Sequence, residues 1–101
     1  MKFLTFATYD PAKLADITAA ADKVASMPGS NILAQYMCVG QPYPGVPPNT
    51  VGGFTISEAE SAEAMAARLY PVVLAGATIH VVPVMEVPVG GQVETEKKYR
   101  A

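Results

Sequence analysis

The feature that most constrains this fold is a set of strands that are apolar on both faces, in a chain with few helices to cover them. Residues 32–39 and 77–85 carry apolar side chains at consecutive as well as alternating positions. Because successive side chains of a strand point to opposite faces of a sheet, such strands need cover on both sides. Two segments have helical periodicity, which is enough for one side of a four-stranded sheet. The sequence therefore predicts that a second copy of the chain covers the other side.

Size and charge restrict the class of protein. The chain has 101 residues, 50% of them hydrophobic and 16% charged, which is typical of one folded domain and not of a disordered chain. A net charge of −2 gives no basic surface, so we expect no nucleic-acid partner. No apolar run approaches the roughly 20 residues that span a bilayer, and segment 2–7 is too short for a signal peptide. The single cysteine, Cys38, excludes an internal disulfide, so a cytoplasmic location without membrane contact is the expectation.

The order of predicted elements is strand–helix–strand–strand–helix–strand. Strand composition and alternation occur at residues 2–9, 32–39, 50–56 and 77–85. Right-handed crossovers turn this order into an α+β, ferredoxin-like βαββαβ sandwich, with a four-stranded antiparallel sheet and two helices on one face. Residues 1–87 are expected to form this domain, and residues 88–101 a C-terminal tail or dimer arm.

Capping and helix-breaking residues predict the bounds of the two helices. Asp10-Pro11 is typical of a helix start, and Pro28-Gly29 ends that helix. Ser57 and Glu60 have the capping-box spacing for the second helix, and Pro71 is expected to end it. The positions expected to be buried are Leu14, Ile17, Ala21 and Val24 in the first helix and Ala62, Met65, Ala66 and Leu69 in the second.

Proline and glycine mark two unusual segments. Residues 40–49 contain four prolines and cannot join a central ladder, so a stiff flap is expected there. Gly52 and Gly53 predict a bulge or a close backbone approach within the third strand. Pro83 predicts an edge position for the fourth strand.

Alternation divides the side chains of each strand between two faces of the sheet. The more apolar sets, such as Leu4 with Phe6 and Phe54 with Ile56, are expected to face the helices. In the second strand, Gln35 and Tyr36 compete for the inner face. The remaining set lies on the open face. Covering about 400 Å² of apolar surface there would contribute on the order of 10 kcal/mol before association costs, so we expect both the dimer interface and a cavity at this face.

Polar side chains expected on the open face are the candidates for a binding site. The expected ligand-binding residues are Thr5, Tyr9, Gln35, Tyr36, Thr55 and His80. His80, the only histidine, is the candidate catalytic residue, because imidazole donates and accepts protons near neutral pH; the alternative is a partly buried histidine that is hydrogen-bonded to a neighbour. Cys38 has the sequence context of a small buried apolar residue. One histidine excludes a multi-histidine metal site within the chain, and we expect neither a metal nor a cofactor.

Two segments resemble a known superfamily. Gly53-Phe54-Thr55-Ile56-Ser57-Glu58 and residues 78–85 (Thr-Ile-His-Val-Val-Pro-Val-Met), with the element order, resemble small dimeric α/β-barrel proteins, and more narrowly an uncharacterised branch with short single-domain members. The resemblance covers about residues 1–87. It implies that two sheets face each other across a two-fold axis and enclose a small cavity. Better-known branches include antibiotic-biosynthesis monooxygenases, muconolactone isomerase-like enzymes, haem-degrading enzymes and stress-responsive proteins, but none of their catalytic motifs is matched here.

Two classes of function therefore stay open, and the sequence does not decide whether the protein is an enzyme. In the first, a homodimer binds a small, mostly apolar organic molecule at the open sheet face, with cofactor-independent oxygenase or isomerase chemistry assisted by His80. In the second, the protein is a non-catalytic assembly or partner-binding module, and the segment after Met85 clasps a neighbour.

Overall fold

Four strands and three α-helices form an α+β fold. The computed structural model describes residues 1–100. Its elements are β1 (Lys2–Tyr9), a 3-10 turn (Pro11–Lys13), α1 (Leu14–Val24), β2 (Ser30–Met37), β3 (Val51–Ala59), α2 (Ala62–Leu74), β4 (Thr78–Val84) and α3 (Gln92–Arg100). The strands form one antiparallel sheet in the order β2-β3-β1-β4. The predicted order up to β4 is confirmed, and so is the edge position that Pro83 predicted.

Helices α1 and α2 pack on one face of the sheet. Ile17 and Val24 of α1 form a buried cluster with Val72 of α2. Met65, at the start of α2, packs with Phe3 of β1 in a second buried cluster. Each of these side chains contributes roughly 1.5–3 kcal/mol through burial, so this layer holds the helices in place.

In β1 and β3, the face that meets the helices is the opposite of the predicted one. Thr5 and Ser57 are buried on the helix side together with Phe3, whereas Leu4 and Phe6 alternate with them onto the open face. The same reversal applies to Phe54 and Ile56 in β3. The prediction failed because it assumed that polar strand residues avoid the core. Here Arg68 of α2 reaches down to the sheet and donates a hydrogen bond of 3.0 Å from Nη2 to Ser57 Oγ.

Both predicted bounds of the second helix are wrong. Strand β3 continues past Ser57 to Ala59, and Ser61 caps α2 by accepting a 3.1 Å hydrogen bond from the Ala64 backbone N–H. Pro71 lies inside α2, which continues to Leu74. A proline removes its own N–H, but the Pro71 carbonyl still accepts from the Ala75 N–H at 3.1 Å. Burial of the next residue, Val72, helps the helix continue through the proline.

A bulge in edge strand β2 sets the direction of its side chains. The register shifts between Ile32 and Ala34, so Leu33 is the extra residue. After the shift Gln35 lies beside Thr55 on the helix side, and Tyr36 lies on the open face. The bulge is therefore in β2 and not at the paired glycines of β3.

The glycine pair instead permits close packing, the second alternative that the sequence offered. A Cβ on Gly53 would lie 2.7 Å from the Tyr36 carbonyl oxygen, and one on Gly52 would lie 2.7 Å from Pro42 Cγ. The proline-rich segment 40–49 stays outside the ladder, as predicted, and folds back onto the open face.

The C-terminal segment is helical where a tail or arm was predicted. Helix α3 buries none of its residues, and an ion pair of 2.9 Å joins Arg100 Nε to Glu96 Oε1 on its surface. Its role as an arm stays a prediction. None of the helices within residues 1–100 combines the length and the apolar character needed to cross a membrane.

Candidate functional site

A cavity of about 250 Å³ lies between the helix layer and the sheet. Its walls come from helices α1 and α2 and from all four strands. The residues from the helices are Ile17, Ala21, Val24, Arg68, Leu69 and Val72, and those from the strands are Thr5, Ala7, Tyr9, Gln35, Tyr36, Met37, Gly53, Phe54, Thr55 and Ile79. Since a cavity of about 150 Å³ encloses benzene in an engineered protein, this volume suits a small organic molecule.

The cavity runs from the sheet edge into the core. At the edge, Tyr36 and Met37 are 56% and 59% exposed, and both belong to edge strand β2. At the other end, Thr5 and Arg68 are each 4% exposed. A molecule can therefore enter beside β2 and reach buried polar groups.

Arg68 places a buried positive charge against the cavity. Its Nη2 donates to Ser57 Oγ at 3.0 Å and contacts Met65 Sδ at 3.7 Å, while its Nε is buried and has no hydrogen-bond partner. Within residues 1–100, no carboxylate forms an ion pair with Arg68. Burial lowers the pKa of the Arg68 guanidinium, yet arginine keeps its charge in proteins. A buried cation without a countercharge is costly.

A row of polar side chains crosses the sheet beneath the helices. Gln35, Thr55 and Thr5 occupy neighbouring positions in β2, β3 and β1. The Thr5 hydroxyl is buried without a hydrogen-bond partner. Burial raises the pKa of the Tyr9 phenol, so Tyr9 is neutral at physiological pH and can donate a hydrogen bond. The buried end of the cavity thus offers several donors and one positive charge.

The candidate residues predicted from the sequence are divided between the two faces. Thr5, Tyr9, Gln35 and Thr55 line the cavity, as does Tyr36 at its edge, although the ring of Tyr36 stacks on Phe54 at the open face. His80 lies on the open face, exposed and opposite Phe6 in the register of β1 and β4. The face assigned to Thr5, Tyr9 and Thr55 was therefore wrong, because these residues point toward the helices. Ligand binding by all six residues, and catalysis by His80, stay predictions.

Arg68 is the residue that sequence reasoning missed. It is absent from the positions expected to be buried in the second helix, Ala62, Met65, Ala66 and Leu69. The available signal was its spacing, since Met65, Arg68 and Val72 recur at three and four residues and are all buried. Ala62 and Ala66, which were expected on the buried side, are exposed.

Aromatic side chains cross the open face of the sheet. The ring centroids of Tyr36 and Phe54 are 5.0 Å apart, those of Phe54 and Phe6 are 6.4 Å apart, and those of Phe6 and Tyr43 are 6.0 Å apart. Tyr43 comes from the proline-rich loop, so this loop covers one end of the row. Together with Val82, which is 49% exposed, these rings make an apolar surface of the kind that marks interaction sites.

Cys38 and the possibility of a metal site complete the description of the chain. Cys38 is partly buried directly after β2, and its backbone N–H donates to the Gly52 carbonyl oxygen at 2.9 Å. In the part of the chain that the structure describes, no three histidine, cysteine, aspartate or glutamate side chains lie close enough together to hold a metal ion.

Comparison with known proteins shows a likeness of fold. No family model matches the sequence, and no curated protein matches it. Among solved structures, the chain is similar to a DUF3240 family protein from Shewanella baltica OS155, with a TM-score of 0.51 and 13% identity over 86% of this chain and 93% of that one. At this identity the likeness shows the fold alone, a small α+β domain with a four-stranded antiparallel sheet. The resemblance to dimeric α/β-barrel proteins stays a prediction.

Proposed function

We propose that this protein binds a small, mostly apolar organic molecule in the cavity between the helices and the sheet. The observation that carries the proposal is the lining of this cavity. Ile17, Val24 and Val72 give it apolar walls, while Thr5 and Arg68 supply buried polar side chains to its lining. Apolar walls with few placed polar groups are typical of small-molecule sites.

The volume of the cavity also supports an occupant. Protein interiors are close-packed, and empty volume destabilises a fold by about 24 cal/mol per Å³. This cavity of about 250 Å³ opens beside β2 and admits water, so the roughly 6 kcal/mol that a dry void of the same volume would cost is an upper limit. A molecule that replaces this water with apolar contacts would add to the stability of the domain, which is typically about 5–15 kcal/mol.

For this cavity we propose ligand binding alone, without the oxygenase or isomerase chemistry predicted for His80. Oxygenation or isomerisation assisted by His80 requires its imidazole to face the ligand. His80 is on the opposite face of the sheet from the cavity, so that chemistry would need a separate site at the open face.

A cavity-filling variant tests the proposal. Wild-type protein is screened by thermal shift and ligand-observed NMR against small aromatic and short alkyl compounds. Ala21→Leu adds a branched side chain to the cavity wall and should abolish binding of every hit. Ala19→Leu makes the same change at an exposed position of α1 outside the cavity and should leave binding intact. A screen without hits, or equal binding by both variants, would count against the proposal.

We also propose that the open sheet face pairs two copies of the chain, giving a ferredoxin-like sandwich that dimerises as an α/β barrel. The supporting observation is the exposed apolar surface of this face, where Tyr36, Val82 and Val84 are 56%, 49% and 38% exposed. Burying about 400 Å² of such surface contributes on the order of 10 kcal/mol, which is comparable to association costs of about 4–15 kcal/mol.

Sedimentation at micromolar concentration tests this pairing. Tyr36→Glu places a charge within the aromatic row and should shift the protein to a monomer. Tyr70→Glu changes a tyrosine of similar exposure, 64%, on helix α2 and should leave the dimer intact. A monomeric wild type, or equal effects of the two substitutions, would contradict the pairing.

A further inference from the structure

We infer that the molecule bound in the cavity carries a carboxylate group, which Arg68 and Thr5 bind. This inference rests on the proposed function and adds the chemical class of its ligand. It starts from two buried groups, Arg68 Nε and Thr5 Oγ1, neither of which has a hydrogen-bond partner. Buried polar groups are nearly always hydrogen-bonded, and both orphans belong to side chains that line one cavity, which points to a group from outside the chain.

The charge of that group follows from the surroundings of Arg68. Arg68 is 4% exposed, and no carboxylate of residues 1–100 pairs with it. The guanidinium is the one formal charge among the residues that line the cavity. An anion there gains a charge-assisted hydrogen bond from Nε–H, and the Thr5 hydroxyl can donate a second one.

A carboxylate fits this charge better than a phosphate does. One guanidinium neutralises the single charge of a carboxylate, whereas a phosphate ester carries about −1.5 to −2 at neutral pH. The excess charge would lie against Ile17, Val24 and Val72, where an unpaired charge is costly. The same apolar walls suit an aryl or short alkyl body, within the cavity volume of about 250 Å³.

Ser57 acts as a positioning residue for the guanidinium. It is 0% exposed and accepts the 3.0 Å hydrogen bond from Arg68 Nη2. This bond holds one corner of the planar group, so the orientation of Nε is set before a ligand arrives. Such preorganisation lowers the entropy lost on binding.

The experiment compares probes of similar shape and different charge. Benzoate, benzyl alcohol and benzylamine are titrated into the full chain by calorimetry, with octanoate as the alkyl carboxylate. Benzoate should bind more tightly than benzyl alcohol, and benzylamine most weakly. In Arg68→Met, benzoate should lose roughly 10- to 100-fold in affinity, the size expected for a hydrogen bond to a charged group, while benzyl alcohol should change little. Thr5→Val should lose several-fold, and Arg100→Met, an exposed arginine, should bind as wild type.

A spectroscopic readout on the unaltered chain covers the case in which Arg68→Met fails to fold. The NMR signal of the Arg68 Nε–H should move on addition of benzoate and stay in place with benzyl alcohol. Equal affinity of wild type for benzoate and benzyl alcohol would overturn the inference and leave the proposed function standing. Displacement of benzoate by inorganic phosphate more readily than by acetate would overturn the choice of carboxylate. If none of the probes bound, both proposals would fall.

Discussion

Replacing Arg68 with methionine should make the ligand-free protein more stable. The Arg68 side chain is 4% exposed and has no carboxylate partner within residues 1–100. Methionine is two atoms shorter and ends near the position of Nε, so it can follow the path of the arginine stem between α2 and the sheet without bringing a charge into the core. The substitution therefore removes a desolvation penalty and keeps most of the packing.

The expected magnitude follows from two opposing effects. The lost hydrogen bond from a charged donor to Ser57, 3.0 Å long, costs about 1.5–3 kcal/mol. Removal of a buried, incompletely paired charge recovers several kcal/mol, and the methionine side chain gains about 1.5–3 kcal/mol through burial. The net gain should be of order 1–4 kcal/mol, the range seen when buried ionic groups are replaced by apolar ones. Each kcal/mol corresponds to about 4–8 °C in Tm for a domain of this size.

Urea unfolding of the ligand-free protein measures this change. Arg100→Met is the matched control, because Arg100 is exposed and pairs with Glu96 on the surface of α3, where an ion pair contributes about 0.3–0.5 kcal/mol. A loss of more than about 1 kcal/mol in Arg68→Met, with a native circular dichroism spectrum, would show that Arg68 is net stabilising. Arg68 would then not need the countercharge that the inferred carboxylate ligand supplies.

Three further changes have defined outcomes. Gly53→Ala should lower the free energy of unfolding by about 1–3 kcal/mol, because its Cβ would lie 2.7 Å from the Tyr36 carbonyl oxygen; Gly40→Ala, with no atom within 4 Å, should cost much less in the same urea titration. Burial raises the pKa of Tyr9 above 10.0, so its contribution to stability should be complete below pH 10 and decline as the pH rises through the folded-state pKa; Tyr9→Phe should remove that part of the decline, and identical alkaline profiles would refute the assignment. Deleting residues 92–101 should change the free energy of unfolding by less than about 0.5 kcal/mol, because α3 buries none of its residues, and a larger loss by urea titration would mean that α3 supports the domain.

The order of elements up to β4 was predictable from the sequence because it depends on local chemistry. Asp10 caps the turn before α1, as predicted, and its Oδ1 accepts a 2.9 Å hydrogen bond from the Ala12 N–H. The edge position of β4 followed from Pro83. The end of the second helix was not predictable from Pro71, since burial of Val72 outweighs a local rule about proline.

The direction of the strand faces was not predictable because alternation defines two sets without saying which is inner. Thr5 and Ser57 lie inside since a residue from another element, Arg68, supplies the polar environment there. Polarity did select Thr5, Gln35 and Thr55 as candidate residues, and they do line one cavity. The decisive charge, however, lies in a helix, where a lone arginine normally indicates a solvent-exposed side.

The bulge at Leu33 links the interior of the protein to its exterior. Because side chains alternate along β2, the extra residue decides that Gln35 serves the cavity and Tyr36 the aromatic row outside. If Leu33 paired regularly instead of bulging, alternation from Ile32 would turn Gln35 to the open face and Tyr36 toward the helices. Deleting Leu33 would instead leave Gln35 beside Thr55 and Tyr36 beside Phe54 in a continuous ladder. Substitutions that straighten this bulge could therefore rewire two separate surfaces of the domain, while every other side chain of the strand kept its identity.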